Sequence, residues 1–515
     1  MSLDAALAGL TLGAAAAPAA PSVEVRVDAD GIRGLISAEQ AATAFAAVMG
    51  ADTSELSAYT SVNLSTKSFA PEAARAAARG LERMGALETV HMADMISGIT
   101  EVDALESLRI VSAAIVASGA AAGVLRSIDL SDNALGEKGL RACSTLLSGA
   151  TALEKLYLCN NGLSKEACAA LAEILLAPLP GATAPRSTTT LTTLNFFNNM
   201  SGSGGGVALA PLVTRSPALT DFRLASTRCA AEGFVPLCAA LSTCAHLTSL
   251  DLSDNTIGSG EGADALAKCV GAMRHARTLR LGDLGLEAEG VAKVCAGILA
   301  SASSKSEMLA LEELDLSFNE IGAEDGARAL SALLARTPKL RVLQLECNEL
   351  SSAGVAIVVA PLAAASHADI ASLTLLDNEI SSAGALAVRD ALQAKIGASP
   401  CTHLRAPHLV ERSFPRRATP RPRLCSAHRL TPARPPLSVP PGSCRLHRTH
   451  IDSPERQHDR RGCREGAPGR TRYRRSTWDS RGQRRRLRRG LIFSSRMASR
   501  SRNVLGTSEL IQIST

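Results

Sequence analysis

The 515-residue sequence predicts an α/β fold, a solenoid of strand, turn and helix units, and three observations carry the prediction. An eleven-position Leu-rich template recurs through residues 58–397, and each copy is followed by apolar residues at helical spacing. The available core material is small: 46% of residues are hydrophobic, yet only 3% are aromatic. Written L-x-x-L-x-L-x-x-N-x-L, the template reads LRSIDLSDNAL at 125–135, LEKLYLCNNGL at 153–163, LTSLDLSDNTI at 247–257, LEELDLSFNEI at 311–321, LRVLQLECNEL at 340–350 and IASLTLLDNEI at 370–380. These are leucine-rich repeats. Looser copies start at Tyr59, Leu87, Leu191, Leu219 and Ala276, giving eleven units. Seven of the ten start-to-start spacings are 28 to 30 residues, long enough for a strand and a full helix in every unit.

In chain order, residues 1–57 are an N-terminal segment. Its stretch GIRGLISAEQAATAFAAVMG (31–50) predicts a capping helix, because the apolar edge of the first repeat would otherwise meet water. The apolar opening MSLDAALAGLTLGAAAAPAAP imitates a signal peptide. Asp4 sits where positive charge belongs and the first basic residue is Arg26, so no secretory signal is expected.

Within the repeats, alternating apolar residues such as LEKLYL suit a short parallel strand, whereas SKEACAALAEILL and AEDGARALSALLAR have the period of a helix. One unit cannot bury its own apolar faces. Stacking the units creates a continuous core, with strands on the concave side of a horseshoe and helices on the convex side. Gly139, Gly290, Gly326, Gly354 and Gly384, near helix starts, are expected to let successive units approach closely. The three long spacings place insertions at 93–106, 176–189 and 300–309. Nine Cys precede residue 401 with no paired CxxC spacing, which reads as small buried thiols in a reducing compartment.

Charge divides the chain. Residues 401–515 hold 27 Arg, no Lys and 7 acids, whereas residues 1–400 hold 28 basic and 42 acidic side chains. The Arg- and Pro-rich segment 398–515 lacks helix or strand periodicity and its composition predicts disorder. Two readings of it stay open: a phosphate-contacting or nuclear-localisation patch, in which case nucleic acid is a partner, or text from a shifted reading frame. No uninterrupted apolar run is long enough to span a membrane.

Aligning the units separates two polar columns. The ninth position reads Asn133, Asn161, Asn199, Thr227, Asn255, Asn319, Asn348 and Asn378, as expected of an inward ladder that satisfies backbone groups at each turn. The eighth reads Asp94, Asp132, Asn160, Asn198, Ser226, Asp254 and Asp283 before changing to Phe318 and Cys347. No repeat-wide structural task emerges for this second row. It is expected to form a polar rim, through either ordinary turn chemistry or docking of a basic partner onto an acidic surface.

Other chemistry is missing from the pattern. There is no GxxxxGK[ST] loop for a nucleoside triphosphate. LNFFNNMSGSGGGVALAPLV (194–213) imitates a dinucleotide turn, but the repeat register explains it without a cofactor. Only four of the ten His, at 91, 246, 275 and 367, lie before residue 401, spread over distant repeats, so no metal site is expected, and His91 with Asp94 is too sparse a ligand set.

The segments VNLSTKSFAPEAARAAARGL (62–81), MADMISG (92–98), DALESLRIVSAAI (103–115), LRSIDLSDNALGEKGLRA (125–142), LEKLYLCNNGLS (153–164), NNMSG (198–202) and ALTDFRLASTR (218–228) closely resemble Ran GTPase-activating proteins, particularly the plant and algal type. The likeness covers residues 30–397. It implies a monomeric activator of a Ran-type small GTPase in its GTP-bound form, with no cofactor and no small-molecule substrate of its own. In that family no arginine finger is supplied; an asparagine orients the catalytic glutamine of the GTPase, and the matching residue here is Asn160. Asp94, Asp132, Asn198, Ser226, Asp254 and Asp283 then become candidate partner-binding residues.

Two departures from the family stand out. Its D-x-x-x-G-R loop appears here as Asp94 to Gly98 followed by Ile99, which removes a cation and implies weaker docking. The Trp-Pro-Pro targeting domain of plant members has no counterpart, since the single Trp is Trp478. The resemblance implies a cytoplasmic location, with the nuclear envelope as an alternative. A different class of function also fits the repeats, a non-catalytic scaffold of the ribonuclease-inhibitor kind that binds a basic protein.

Overall fold

A computed structural model describes residues 23–26, 34–179, 182–364, 370–396 and 512–514. The signal-like opening and residues 398–511 lie outside them, so the expectations placed there are not addressed. The chain divides into two units, 413–504 and the remainder, and all described residues belong to the latter.

The strands are β1 (Val23–Arg26), β2 (Leu35–Ile36), β3 (Tyr59–Asn63), β4 (Ser68–Phe69), β5 (Thr89–His91), β6 (Ser127–Asp129), β7 (Lys155–Tyr157), β8 (Thr193–Asn195), β9 (Asp221–Arg223), β10 (Ser249–Asp251), β11 (Thr278–Arg280), β12 (Glu313–Asp315), β13 (Val342–Gln344), β14 (Ser372–Thr374) and β15 (Gln512–Ser514). From β1 through β14 they form one parallel sheet in chain order, except that β2 and β4 pair in a small sheet of their own. β15 lies antiparallel against β14, so three residues of the Arg/Pro-rich segment are ordered as a strand. From β5 to β14 every strand begins two residues after the predicted start of its unit. The template's second Leu is the central strand residue: Ile128, Leu156, Leu250, Leu314 and Leu343 are all fully buried. Each such burial is worth about 1.5–3 kcal/mol.

The described part of the N-terminal segment contributes both helices and a strand. The helices Ala38–Ala44 and Ala46–Gly50 bury Ala41, Phe45 and Val48, and β1 adds a parallel strand upstream of β3. Gly80 makes this seat possible, since a methyl there would lie 2.3 Å from Phe45 Cδ1. Arg83 holds the helix end by donating from Nη1 to the Val48 carbonyl (2.8 Å) and from Nη2 to the Ala51 carbonyl (2.7 Å).

The glycines expected at unit contacts fall into two groups. Methyls at Gly290, Gly354 and Gly384 would press on the preceding unit, at 3.1 Å from Ser259 Cα, 2.9 Å from Ala323 Cα and 3.0 Å from Ser352 Cα. Gly139 and Gly326 instead face the loop of their own unit, through Leu135 and Ile321. The first insertion is a loop only up to Thr100, whose hydroxyl caps the 17-residue helix Glu101–Ala117.

Candidate functional site

The turn after each strand is where the two polar columns part. Ninth-position side chains are buried: Asn133 Nδ2 donates to the Met92 and Leu130 carbonyls (2.7 and 2.9 Å), and Asn161 Nδ2 to Leu130 (3.0 Å). Each amide oxygen accepts from the preceding unit, as in Asn133 N–H to Asn161 Oδ1 (2.9 Å) and Asn319 N–H to Asn348 Oδ1 (2.9 Å). Where Leu284 breaks the column, the Asn255 N–H finds the Asp283 carbonyl instead at 3.0 Å. The inward ladder is present as the pattern predicted.

The eighth column does have a repeat-wide task, which corrects the expectation that it had none. In all eleven units its residue is left-handed, with φ from +51° at Cys347 and Asp377 to +63° at Thr66. From Thr66 to Cys347, each N–H in the column donates to the carbonyl before the matching residue of the next unit at 2.8–2.9 Å. Asp and Asn tolerate this conformation better than other side chains except Gly, which accounts for much of the column's polarity without any partner.

Asp132, Asn160, Asn198 and Asp254 are exposed, while Asp94, Ser226 and Asp283 are half-buried. Three of the seven join directly. Asn198 Nδ2 donates to Asn160 Oδ1 (3.0 Å), and Asn160 Nδ2 donates to Asp132 Oδ1 (2.9 Å). Asp94 is turned into its own loop, accepting from Ser97 Oγ. Ser226 and Asp254 make no side-chain hydrogen bond to a column neighbour among the described residues.

Two features around this row were not legible in the sequence. A cleft of about 750 Å³ opens beside Asp132, between Ile96, Ile99, Leu105 and Leu108 on one wall and Leu135 to Gly139 on the other. The Lys138–Glu101 ion pair links its walls. Ile99 is half-buried there and packs on the core, so the position of the missing cation is filled by apolar contact. On the sheet face, the Arg223 guanidinium lies 4.1 Å from the Phe197 ring centre while its Nε pairs with Asp251 (2.9 Å). Burial, then Asp221 and Asp129, push the Tyr157 hydroxyl above its ordinary pKa. Further along, Arg280 holds Glu313 through two contacts (2.7 and 3.1 Å). Burial, with neighbouring acids adding to it, raises the carboxyls of Asp315 and Glu346. Only a residue register plus side-chain geometry reveals these contacts, since the ion-pair and ring partners are 26 to 37 positions apart.

Among the described residues there is no group of three or more His, Cys, Asp or Glu able to hold a metal, and no helix long and apolar enough to cross a membrane. Seven of the nine cysteines there are buried and all nine are free thiols.

A family profile described as Leucine Rich repeat matches residues 124–142, 243–267 and 310–331. The fold is a leucine-rich-repeat solenoid. RAN GTPase-activating protein 1 of Arabidopsis thaliana is 42% identical over 101 residues, 19% of this chain and 18% of that protein. Ran GTPase-activating protein of Drosophila melanogaster is 35% identical over 117 residues, 22% of this chain and 19% of its own. Ribonuclease inhibitor of Sus scrofa is 30% identical over 232 residues, 44% of this chain and 47% of the inhibitor. The solenoid thus spans less than a fifth of the matched GTPase-activating proteins and about half of the inhibitor.

Proposed function

We propose that this leucine-rich-repeat protein activates GTP hydrolysis on a Ran-type small GTPase in its GTP-bound form, with Asn160 orienting the catalytic glutamine of the partner. The observation that carries the reading is the state of the Asn160 amide. It is exposed on the rim, its backbone is pinned to the Phe197 carbonyl, and it makes one donated and one accepted side-chain bond. A carboxamide has two N–H groups and two lone pairs, so one of each remains to pair with a second amide. That is the complement a water-positioning glutamine needs in order to be held still. Higher identity to the Arabidopsis relative than to the Drosophila one favours the plant type.

No phosphate-stabilising cation is required in this scheme, because the nucleotide belongs to the partner and Asn160 acts through the partner's glutamine. Asp94, Asp132, Asn198, Ser226, Asp254 and Asp283 form the docking rim on either side of Asn160. The protein works as a cytoplasmic monomer, with the nuclear envelope as an alternative station, and needs no cofactor.

The competing reading is a non-catalytic scaffold for a basic protein. It is favoured by the longer match to ribonuclease inhibitor and by the fact that left-handed geometry already accounts for much of the polar column. Single-turnover hydrolysis of GTP by purified Ran separates them. An activator raises the rate by orders of magnitude at saturating concentration; a scaffold binds and leaves the rate unchanged.

A further inference from the structure

We propose that the Asp132 carboxylate sets which way round the Asn160 amide faces, making Asp132 a positioning residue rather than only a docking charge. The inference rests on the function proposed above and adds to it the device that orients the working group. A carboxamide is nearly symmetric in shape, so packing alone does not distinguish its oxygen from its nitrogen. Chemistry does, when a neighbour can only accept or only donate.

The row Asp132, Asn160, Asn198 contains one such neighbour. An ionised carboxylate only accepts, so Asn160 must turn its NH2 toward Asp132, as it does at 2.9 Å. Its oxygen then faces Asn198, which must answer with its own NH2, as it does at 3.0 Å. Rotating the Asn160 amide by half a turn would set oxygen against carboxylate, exchanging an attraction for a repulsion that no turn of the Asn198 amide can relieve. The backbone offers no escape. All three residues are left-handed, at φ +61°, +52° and +54°, and their N–H groups are tied to Cys159, Phe197 and Ala225 at 2.9, 2.8 and 2.9 Å. Polarity therefore propagates along the row from its one charged end. The N–H and the lone pair left on Asn160 are delivered to a partner in a fixed order, which is what a second amide must match.

Swapping the two ends tests this. Asp132→Asn/Asn198→Asp keeps the composition and net charge of the row but puts the acceptor-only group on the opposite side of Asn160. Single-turnover hydrolysis and partner affinity are measured for wild type, Asp132→Asn and the swapped pair, with melting temperatures as a check on folding. The expected result is a rate at saturating activator about 10- to 100-fold lower for the swapped pair, the size of a misaligned catalytic contact, with affinity little changed. Asp132→Asn, which removes the preference without reversing it, falls between. If Asp132 is only a docking charge, the swapped pair keeps the wild-type rate and the proposal is wrong.

A second readout does not depend on Ran. With selective 15N-Asn labelling, the Asn160 side-chain NH2 signals, assigned by their loss in Asn160→Ala, shift in Asp132→Asn. Unmoved signals overturn the proposal. Wild-type protein that accelerates no hydrolysis overturns the function proposed above, and the labelling experiment still decides the orientation. If the swapped pair does not fold, the isosteric Asp132→Asn variant carries both readouts.

Discussion

Asn160 and Asn161 are adjacent in sequence and opposite in use: the first is exposed and bonds sideways to Asp132 and Asn198, while the second is fully buried and gives its NH2 to the Leu130 carbonyl. The change comes from one peptide unit. A left-handed residue at 160 turns the chain so that consecutive side chains leave on opposite sides of the sheet edge.

Asn161→Ala should cost about 2 kcal/mol, because it strips the acceptor from the buried Asn133 N–H and leaves the Leu130 carbonyl with only the Asn133 side chain as donor. Urea unfolding measures it. A loss below 0.5 kcal/mol, roughly the scatter of ordinary surface substitutions, would remove the ladder's structural role.

Phe318 occupies the left-handed column at φ +60° with 48% of its surface exposed. Phe318→Asn puts a residue tolerant of that conformation in its place and should stabilise the protein by about 1 kcal/mol. An unfolding midpoint that drops instead would mean the ring has packing value that its exposure hides.

Much of the fold was legible because it is written in side-chain period. Leucines at fixed intervals mark β5 to β14, and the two-residue offset of those strands follows from the template's second Leu being the buried central residue. β1 was missed because Val23–Arg26 carries no copy of the template and pairs with β3 only through space. The Asn160 column was found, but its conformation was not, since Phe318 and Cys347 share the same φ with none of the chemistry that signals it. The Asn160 to Asn198 bond crosses a 38-residue interval that includes the second insertion, so no constant period points to it.

Ile99→Arg should restore a cation at the loop position where the resembled family carries one. The arginine stem can occupy the apolar wall now covered by Ile99, with its head beside Glu101 and Glu137 at the cleft. The expected outcome is tighter binding and faster activation of Ran at subsaturating protein, measured by titrating the hydrolysis rate. An unchanged or lower rate would mean that this loop has been rebuilt around the isoleucine.

Burial pushes the thiols of Cys143, Cys168, Cys229 and Cys295 from an ordinary 9.0 up to about 12. Below pH 9 they are neutral in folded and unfolded chains alike. Above it the unfolded chain ionises and the folded one does not, so stability falls as pH rises, by up to about 1.4 kcal/mol per pH unit for each thiol. Urea midpoints at pH 8 and pH 10 should therefore differ steeply, and Cys295→Ala should shrink the difference. Equal slopes in wild type and variant would show that this thiol is not shielded.

The most direct measurement is single-turnover GTP hydrolysis by Ran with saturating Asn160→Ala protein beside wild type. The account predicts a fall of about 100-fold or more, far beyond the small drop in melting temperature expected from Ala in a left-handed position (about 1 kcal/mol), because an exposed amide that orients the partner's glutamine contributes mainly to the reaction. Acceleration by the Ala variant equal to that of wild type would contradict it.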